Sequence, residues 1–354
     1  MTAIYYKDQK ISYRALLDAI DQRQIPDPIF PVTHSLDCVI NVLTCLIKGI
    51  PFLPYSPLLL TKPNITIPVG CDLILHTSGS SKMKFPSFTK KALIESCMNT
   101  HPAFMLSAAD VYLLNLPLYH VAGLCILFRA FLRGASIAID PTLTSLITHV
   151  SMVPAQTDIL RDQNPFPNLK ALLLGGSAIP TSLADFLSKR GYPLYVTYGM
   201  TETCSHVFVE KYQQGEGVYF TRPLRGRKIT INNRGILLVK TSWMKTYHNT
   251  KDRFSFEDGR YRFLGRSDSM FISGGENIYP NEIKNALMKI PGIRRVEIEI
   301  KEHFKWGNRP FVSIYTDALT SLGAIKKHLS QNLEHFKIPK DHEIALYSLS
   351  QDLK

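Results

Sequence analysis

Thr77-Ser78-Gly79-Ser80-Ser81 sets four side-chain hydroxyls and a glycine on five consecutive positions, with Lys82 and Lys84 close behind. Such a turn offers backbone N–H groups, hydroxyl donors and mobile ammonium groups converging on a small volume, which is what a polyphosphate needs. The pattern is not GxxxxGK[ST], which excludes the phosphate loop of the common P-loop NTPases. A Ser-rich surface turn would carry the same letters, and the segment alone does not separate the two. Arg129 stands out for a different reason. It lies inside Leu124-Cys125-Ile126-Leu127-Phe128-Arg129-Ala130, an apolar helical stretch where a cation is costly to bury without an anionic partner. It either meets an anion there, or reaches solvent or a structural acid.

These residues need elements to position them. Apolar runs of strand length at 72–76, 111–116, 136–139, 149–153, 171–174 and 194–197 alternate with helical patterns at 122–133 and 182–190. That alternation predicts a layered α/β fold with mostly parallel strands, whose functional loops follow the C-terminal strand ends. Ahead of it, residues 4–13 read as a hairpin, a helix starts at Arg14, and a second helix over 36–48 stops at Gly49. Five prolines between 51 and 69 make a connector. After about residue 215 short strands take over (228–232, 235–240, 260–264), ending at a polar turn, Gly265-Arg266-Ser267-Asp268. A helix over 280–289, strands at 295–300 and 310–315 and a helix over 319–333 then predict a small α+β domain. The expected division is a large domain, 1–267, and a small one, 268–354.

Composition narrows the function classes. The 354 residues are 45% hydrophobic and 20% charged, with a formal net charge of +12. The Lys and Arg residues are scattered, with nothing longer than pairs such as Lys90-Lys91, so the surplus reads as a field attracting anionic small molecules rather than a nucleic-acid surface. Six cysteines without CxxC or zinc spacing read as buried free thiols of a reducing compartment. No signal core and no bilayer-length apolar run occur, which predicts a cytoplasmic protein without a membrane span. No GxGxxG follows a strand and no GxSxG is present, which argues against a dinucleotide oxidoreductase and a serine hydrolase.

Five ordered segments resemble the adenylate-forming superfamily of acyl-CoA synthetases, luciferases and peptide-synthetase adenylation domains. The turn at Thr77–Ser81 is similar to its Thr-Ser-Gly-Ser/Thr-Thr-Gly-x-Pro-Lys loop. Leu172-Leu173-Leu174-Gly175-Gly176-Ser177-Ala178 resembles its strand and Gly-Gly turn, and Tyr198-Gly199-Met200-Thr201-Glu202 its Tyr-Gly-x-Thr-Glu loop. Gly265-Arg266-Ser267-Asp268 and Ser273-Gly274-Gly275-Glu276-Asn277 resemble its inter-domain segment. The likeness covers nearly the whole chain. It implies ATP-dependent activation of a carboxylic acid to an acyl-adenylate, followed by thioester formation with coenzyme A.

The resemblance also implies roles. Thr77, Ser78, Gly79, Ser80, Ser81 and Lys84 would hold phosphates. Gly175, Gly176 and Ser177 would let the backbone approach the purine or acyl group. Tyr198 would stack on adenine beside Gly199 and Met200, Thr201 would bond a phosphate oxygen, and Glu202 would ligate Mg²⁺. Asp252 would hold the ribose, with Arg266 as a second contact. Asp268 would be the hinge, and Gly274-Gly275 would face coenzyme A. Leu116-Pro117-Leu118-Tyr119-His120-Val121-Ala122-Gly123 is similar to the family segment whose His lines the acyl pocket, which assigns His120 and Gly123 there. Arg129 resembles an Arg of the o-succinylbenzoate-CoA ligases of menaquinone synthesis, which implies a dicarboxylic substrate with one carboxylate activated and the other on Arg129. The chain departs from the pattern in three places. Lys82 replaces the loop's second glycine, and Lys84 falls one position early. The region before residue 70 keeps only an outline. Leu349–Lys354 approaches the family's Gly-x-Lys turn, with Lys354 slightly upstream of the adenylating lysine. Three readings stay open there: a shortened chain, a catalytically weakened member, or Lys354 as substitute. A degenerate member that binds nucleotide or acyl-adenylate as a regulatory module is the alternative to a full ligase.

Overall fold

The strand-length apolar runs pair into one eight-stranded sheet in the computed structural model, which describes all residues except 60, 76–84, 163, 268–269, 274–275, 304–306, 318–319 and 349–354. Its strands are β1 (Thr2–Tyr6), β2 (Gln9–Ser12), β3 (Val111–Leu113), β4 (Ser136–Ala138), β5 (His149–Met152), β6 (Ala171–Leu174), β7 (Leu194–Met200) and β8 (Ser205–Lys211). Their spatial order is β8-β7-β6-β5-β3-β4-β1-β2. The middle is parallel, and an antiparallel strand closes each edge, β2 on β1 and β8 on β7. Every residue of β5 and β6 is buried, as expected for parallel strands covered on both faces.

The helices are α1 (Tyr13–Gln22), α2 (Leu36–Lys48), α3 (Lys90–Phe104), α4 (Val121–Leu132) and α5 (Thr181–Lys189). The Ser12 and Ser35 hydroxyls cap α1 and α2 by accepting from the Ala15 and Cys38 N–H groups, at 3.1 and 3.2 Å. Gly49 ends α2 in the left-handed conformation, as its sequence position predicts. The α4 helix is apolar on nearly every face and is a core helix, buried from Gly123 through Ala130.

The chain divides into two compact units, Met1–Ile179 with Ala184–Ile229 and Val239–His248, and Pro180–Leu183 with Thr230–Leu238 and Asn249–Lys354. A four-stranded sheet has the order β9 (Arg227–Ile231), β10 (Ile236–Thr241), β11 (His248–Glu257), β12 (Arg260–Arg266). Beyond it, β13 (Phe271–Ser273), β14 (Glu276–Ile278), α6 (Pro280–Leu287), β15 (Ile293–His303), β16 (Gly307–Thr316), α7 (Leu322–Asn332) and β17 (Ile344–Ser348) build a five-stranded sheet with two helices. Ile283, Leu287, Val296, Ile314, Ile325 and Leu329 form its core. The architecture is a large α/β domain with a mixed sheet and a smaller α+β domain, as the sequence predicts.

Three local expectations need correction. The run at 72–76 does not join the large sheet: Leu73–Ile74 pairs antiparallel with Ser87–Phe88. The segment 205–211, given no strand above, is the edge strand β8. Gly265 and Arg266 end β12 rather than forming a free turn, because the β11–β12 ladder continues through Asp252 opposite Arg266.

Candidate functional site

Two turns leave the C-terminal ends of neighbouring parallel strands. After β6 the chain passes through Gly175, which is buried, then Gly176 (φ +78°) and Ser177, which are exposed. A Cβ at Gly175 would stand 2.0 Å from Thr197 Oγ1 on β7, so only glycine lets the two strand ends come this close. After β7 the chain turns through Thr201–Cys204 into β8. A Cβ at Gly199 would meet the Ser205 carbonyl oxygen at 2.2 Å. Tyr198 is half-buried, its ring 6.1 Å from Phe208 and 6.5 Å from Phe220. Thr201 and Glu202 are half-buried in the turn. Among the described residues no three His, Cys, Asp or Glu side chains gather to hold a metal ion.

The turn is strained and tied down. Cys204 (φ +52°) and Ser205 (φ +87°) both lie in the left-handed region, which side-chain-bearing residues rarely occupy. Thr203 Oγ1 donates to the Ser205 carbonyl at 2.8 Å. Ser96 of α3 donates through Oγ to the Cys204 carbonyl. Arg227 donates to Ser96 Oγ at 2.9 Å and to the His206 carbonyl at 3.2 Å, its guanidinium 4.7 Å from the Trp243 ring centroid.

Arg129, two turns into α4, is 2% exposed. It does not reach solvent, and it forms no ion pair with a described carboxylate. Its Nη2 donates to Ser205 Oγ at 2.9 Å and lies 3.4 Å from His206 Nδ1, while its Nε is buried without a partner. Burial works to lower its pKa, but the neighbouring Cys125 and Tyr112 outweigh that and it is raised. Burial, and then the charges of Arg129 and Arg227, push His206 well below its usual value, so the ring is neutral at pH 7. A bond with Cys97 holds the Cys125 thiol below the usual range against its own burial, with Arg129 adding to the effect. Arg129 thus stands among thiols, a phenol and a neutral imidazole with no described carboxylate bonded to it, whereas Arg227 also feels the Glu95 carboxylate. Gly123 is buried in the first turn of the same helix. His120 precedes that turn, exposed, its ring 4.6 Å from Tyr119.

In the second unit Asp252 and Arg266 face each other across β11 and β12, with Nη1 and Oδ1 3.4 Å apart. The Asp252 carboxylate is 6% exposed and the arginine 43%, so the acid is fixed and the cation reaches outward. The same unit holds a cavity of about 610 Å³ lined by Ser273, Lys326, Lys327, His335, Phe336 and Lys340, among others. Lys326 pairs with Asp341, and the nearby Arg309 is held by Glu343 through two 2.8 Å bonds. Lys327 pairs with no described residue. The sequence reading missed this cavity: its lysines lie on α7 and in the 335–340 segment, a turn apart from any recognisable motif. Thr77, Ser78, Gly79, Ser80, Ser81, Lys84, Asp268, Gly274, Gly275 and Lys354 lie outside the described residues.

Residues 71–236 match the model of a family described as AMP-binding enzyme. The chain is 34% identical over 265 residues to the 2-succinylbenzoate–CoA ligase of Haemophilus influenzae, a stretch covering 67% of this chain and 57% of that one. This chain belongs to the AMP-binding, acyl-adenylate-forming superfamily. The Escherichia coli 2-succinylbenzoate–CoA ligase is 31% identical over 261 residues, 68% of this chain and 57% of the relative. The matched stretch thus spans a little over half of these curated superfamily members. Among solved structures, a variant of E. coli MenE with bound OSB-AMS superimposes with a TM-score of 0.84 at 22% identity, covering 100% of this chain and 93% of the other. ATP-bound MatB from Rhodopseudomonas palustris gives 0.82 at 18%, covering 98% and 92%. At such identities the likeness speaks for the superfamily fold.

Proposed function

We propose that this chain activates a dicarboxylic acid with ATP and passes the acyl group to coenzyme A, with o-succinylbenzoate as the acid and menaquinone synthesis as the setting. The observation that carries the reading is Arg129: a guanidinium 2% exposed, without a carboxylate partner, bonded to the residue that ends the Thr201–Cys204 turn. A buried cation of this kind is costly unless an anion arrives. A second carboxylate on the substrate supplies one, while the first reacts at the nucleotide.

In the first step an oxygen of the activated carboxylate attacks the α-phosphorus of ATP in line, the bond to the bridging oxygen breaks, and pyrophosphate leaves. Phosphoryl chemistry of this kind is mainly positioning and charge stabilisation. Bound Mg²⁺ would neutralise charge on the phosphates. On the protein side, Thr77–Ser81 and Lys84 hold phosphates, Thr201 donates to a phosphate oxygen, and Glu202 anchors the cation. The glycines at 175 and 176 leave room for a flat ring, and Tyr198 offers it a face. Asp252 and Arg266 receive the ribose hydroxyls. His120 and Gly123, at the start of the helix that carries Arg129, take the acyl group. In the second step the thiol sulfur attacks the acyl carbonyl and AMP leaves. The resemblance assigns this second step to the residues from Asp268 onward, Gly274-Gly275 among them. The cavity with Lys326, Lys327 and Lys340 has the charge, and Phe336 the ring, to receive the nucleotide end of coenzyme A.

Pyrophosphate exchange with o-succinylbenzoate, benzoate and medium-chain acids tests this. Exchange with benzoate but not with the dicarboxylate removes the argument built on Arg129. Lys82 in place of the family's loop glycine favours a second reading, a member that binds nucleotide or acyl-adenylate without full ligase activity. ATP binding without exchange for any acid would identify it.

A further inference from the structure

The strained turn and the buried arginine behind it account for each other. Three successive backbone carbonyls at the end of the turn are captured by side chains. Ser96 Oγ–H bonds that of Cys204, Thr203 Oγ1–H that of Ser205, and Arg227 Nε–H that of His206. The polarity of the relay is fixed. Arginine can only donate, so Ser96 Oγ accepts from Arg227 and its own hydrogen must go to the Cys204 carbonyl. Ser96 and Cys204 are fully buried and Arg227 is 5% exposed, so water cannot replace these bonds. The buried Arg227 guanidinium, in the field of Glu95, gives Nε–H to the His206 carbonyl and an Nη2–H to the backbone-bound Ser96 hydroxyl, while Nη1 bonds no described group. The carbonyl held by Ser96 belongs to Cys204, the first of the two left-handed residues, immediately after Thr201–Thr203.

We propose that Arg227 and Ser96 are positioning residues that clamp the Thr201–Ser205 turn into the left-handed shape presenting Thr201 and Glu202 to the nucleotide. The proposal rests on the adenylating role given to that turn above. Neither residue touches the nucleotide; both act through the Cys204 and His206 carbonyls. Trp243 holds the guanidinium from the far side, and α3, which carries Ser96, is the rigid support.

The test compares wild type, Ser96→Ala, Arg227→Lys and Arg227→Met, each with and without Cys204→Gly. Glycine keeps the carbonyl and adopts positive φ without strain, so it removes the need for a clamp. Two measurements are made on each full-length variant: hydrogen exchange of the backbone over 200–206, and titration with ATP and Mg²⁺. Ser96→Ala is expected to speed exchange in that segment and weaken ATP binding roughly tenfold, the size of one lost buried hydrogen bond. Cys204→Gly should restore affinity in the double variant to within about threefold of the Cys204→Gly parent, a coupling that a general loss of stability would not produce. Arg227→Lys should retain more affinity than Arg227→Met. Should Arg227→Met fail to fold, Ser96→Ala decides alone. Unchanged exchange over 200–206 in Ser96→Ala overturns the proposal, and so does a loss of affinity that Cys204→Gly leaves in place. If wild type itself binds no ATP while Ser96→Ala speeds exchange, the adenylating reading falls and the clamp on the turn stands.

Discussion

Replacing Arg129 by methionine should weaken the dicarboxylic acid severely while leaving the fold intact. In the free protein the side chain bonds Ser205 at 2.9 Å, lies 3.4 Å from His206 Nδ1 and interacts with the Tyr112 hydroxyl. Losing a charge-assisted bond costs about 1.5–3 kcal/mol. Against that, the substitution removes a buried cation that no described carboxylate compensates, a relief of several kcal/mol. The melting temperature should therefore stay or rise. With the dicarboxylate bound, the same change leaves a carboxylate buried without its cation and costs about 3–5 kcal/mol. Even the lower figure is a factor of about 150 in affinity. The assay titrates o-succinylbenzoate and its two monoacid analogues, 4-oxo-4-phenylbutanoate and 2-butanoylbenzoate, into both proteins, with melting curves alongside. A methionine variant that loses about 3 kcal/mol of stability, or that weakens all three acids alike, would show that Arg129 is a structural residue and refute the reasoning.

Three further outcomes follow from the geometry. Gly175→Ala forces a Cβ to within 2.0 Å of Thr197 Oγ1, so it should cost about 1–3 kcal/mol in urea unfolding and weaken ATP binding; a neutral effect on both would mean the turn has slack. Burial would raise the Glu343 carboxyl, but bonds from Arg309 and the Lys340 N–H hold it below its ordinary value. A depressed folded value means its stabilisation is fully present above the unfolded pKa of about 4.3 and is lost as pH falls through the folded value. Glu343→Gln should thus lower the melting temperature at pH 7, with a gap to wild type that closes on acidification below about pH 4; a gap independent of pH contradicts the assignment. Lys327→Glu combined with Lys340→Glu should raise the KM for coenzyme A about tenfold and leave that for ATP within about twofold, as read from initial rates of thioester formation. Equal changes in both constants would remove the cavity from the coenzyme A pathway.

Much of the fold is legible in local patterns. The continuous apolar run of β6, Ala171–Leu174, reads as a strand covered on both faces, and Ser35 and Gly49 bracket α2 at the positions where their chemistry is useful. The α3 helix was harder to read because its inward stripe is partly polar: Ser96 and Thr100 take positions usually held by aliphatic residues. The spacing Leu93, Ser96, Cys97, Thr100 and Phe104 was the available signal. The β8 strand begins at Ser205, which with Cys204 before it adopts a conformation that propensity assigns to glycine, and this hides its start. Within the site, sequence singled out Arg129, but its burial without an acid is a fact of packing. Arg227 carries no signal in the sequence, because its partners, the His206 carbonyl and the Ser96 hydroxyl, are brought to it by the fold from other segments of the chain.

The glycine contact between β6 and β7 has a consequence for altering this protein. With Gly175 pressed on Thr197 and Gly199 pressed on Ser205, the two strand ends behave as a single plate with no free play between them. A side chain enlarged anywhere along that plate shifts both turns together, so libraries aimed at new acids and built on β7 or β8 would sacrifice nucleotide binding along with the old specificity. Diversity placed on α4, with Arg129 and its bond to Ser205 retained, would leave the plate fixed.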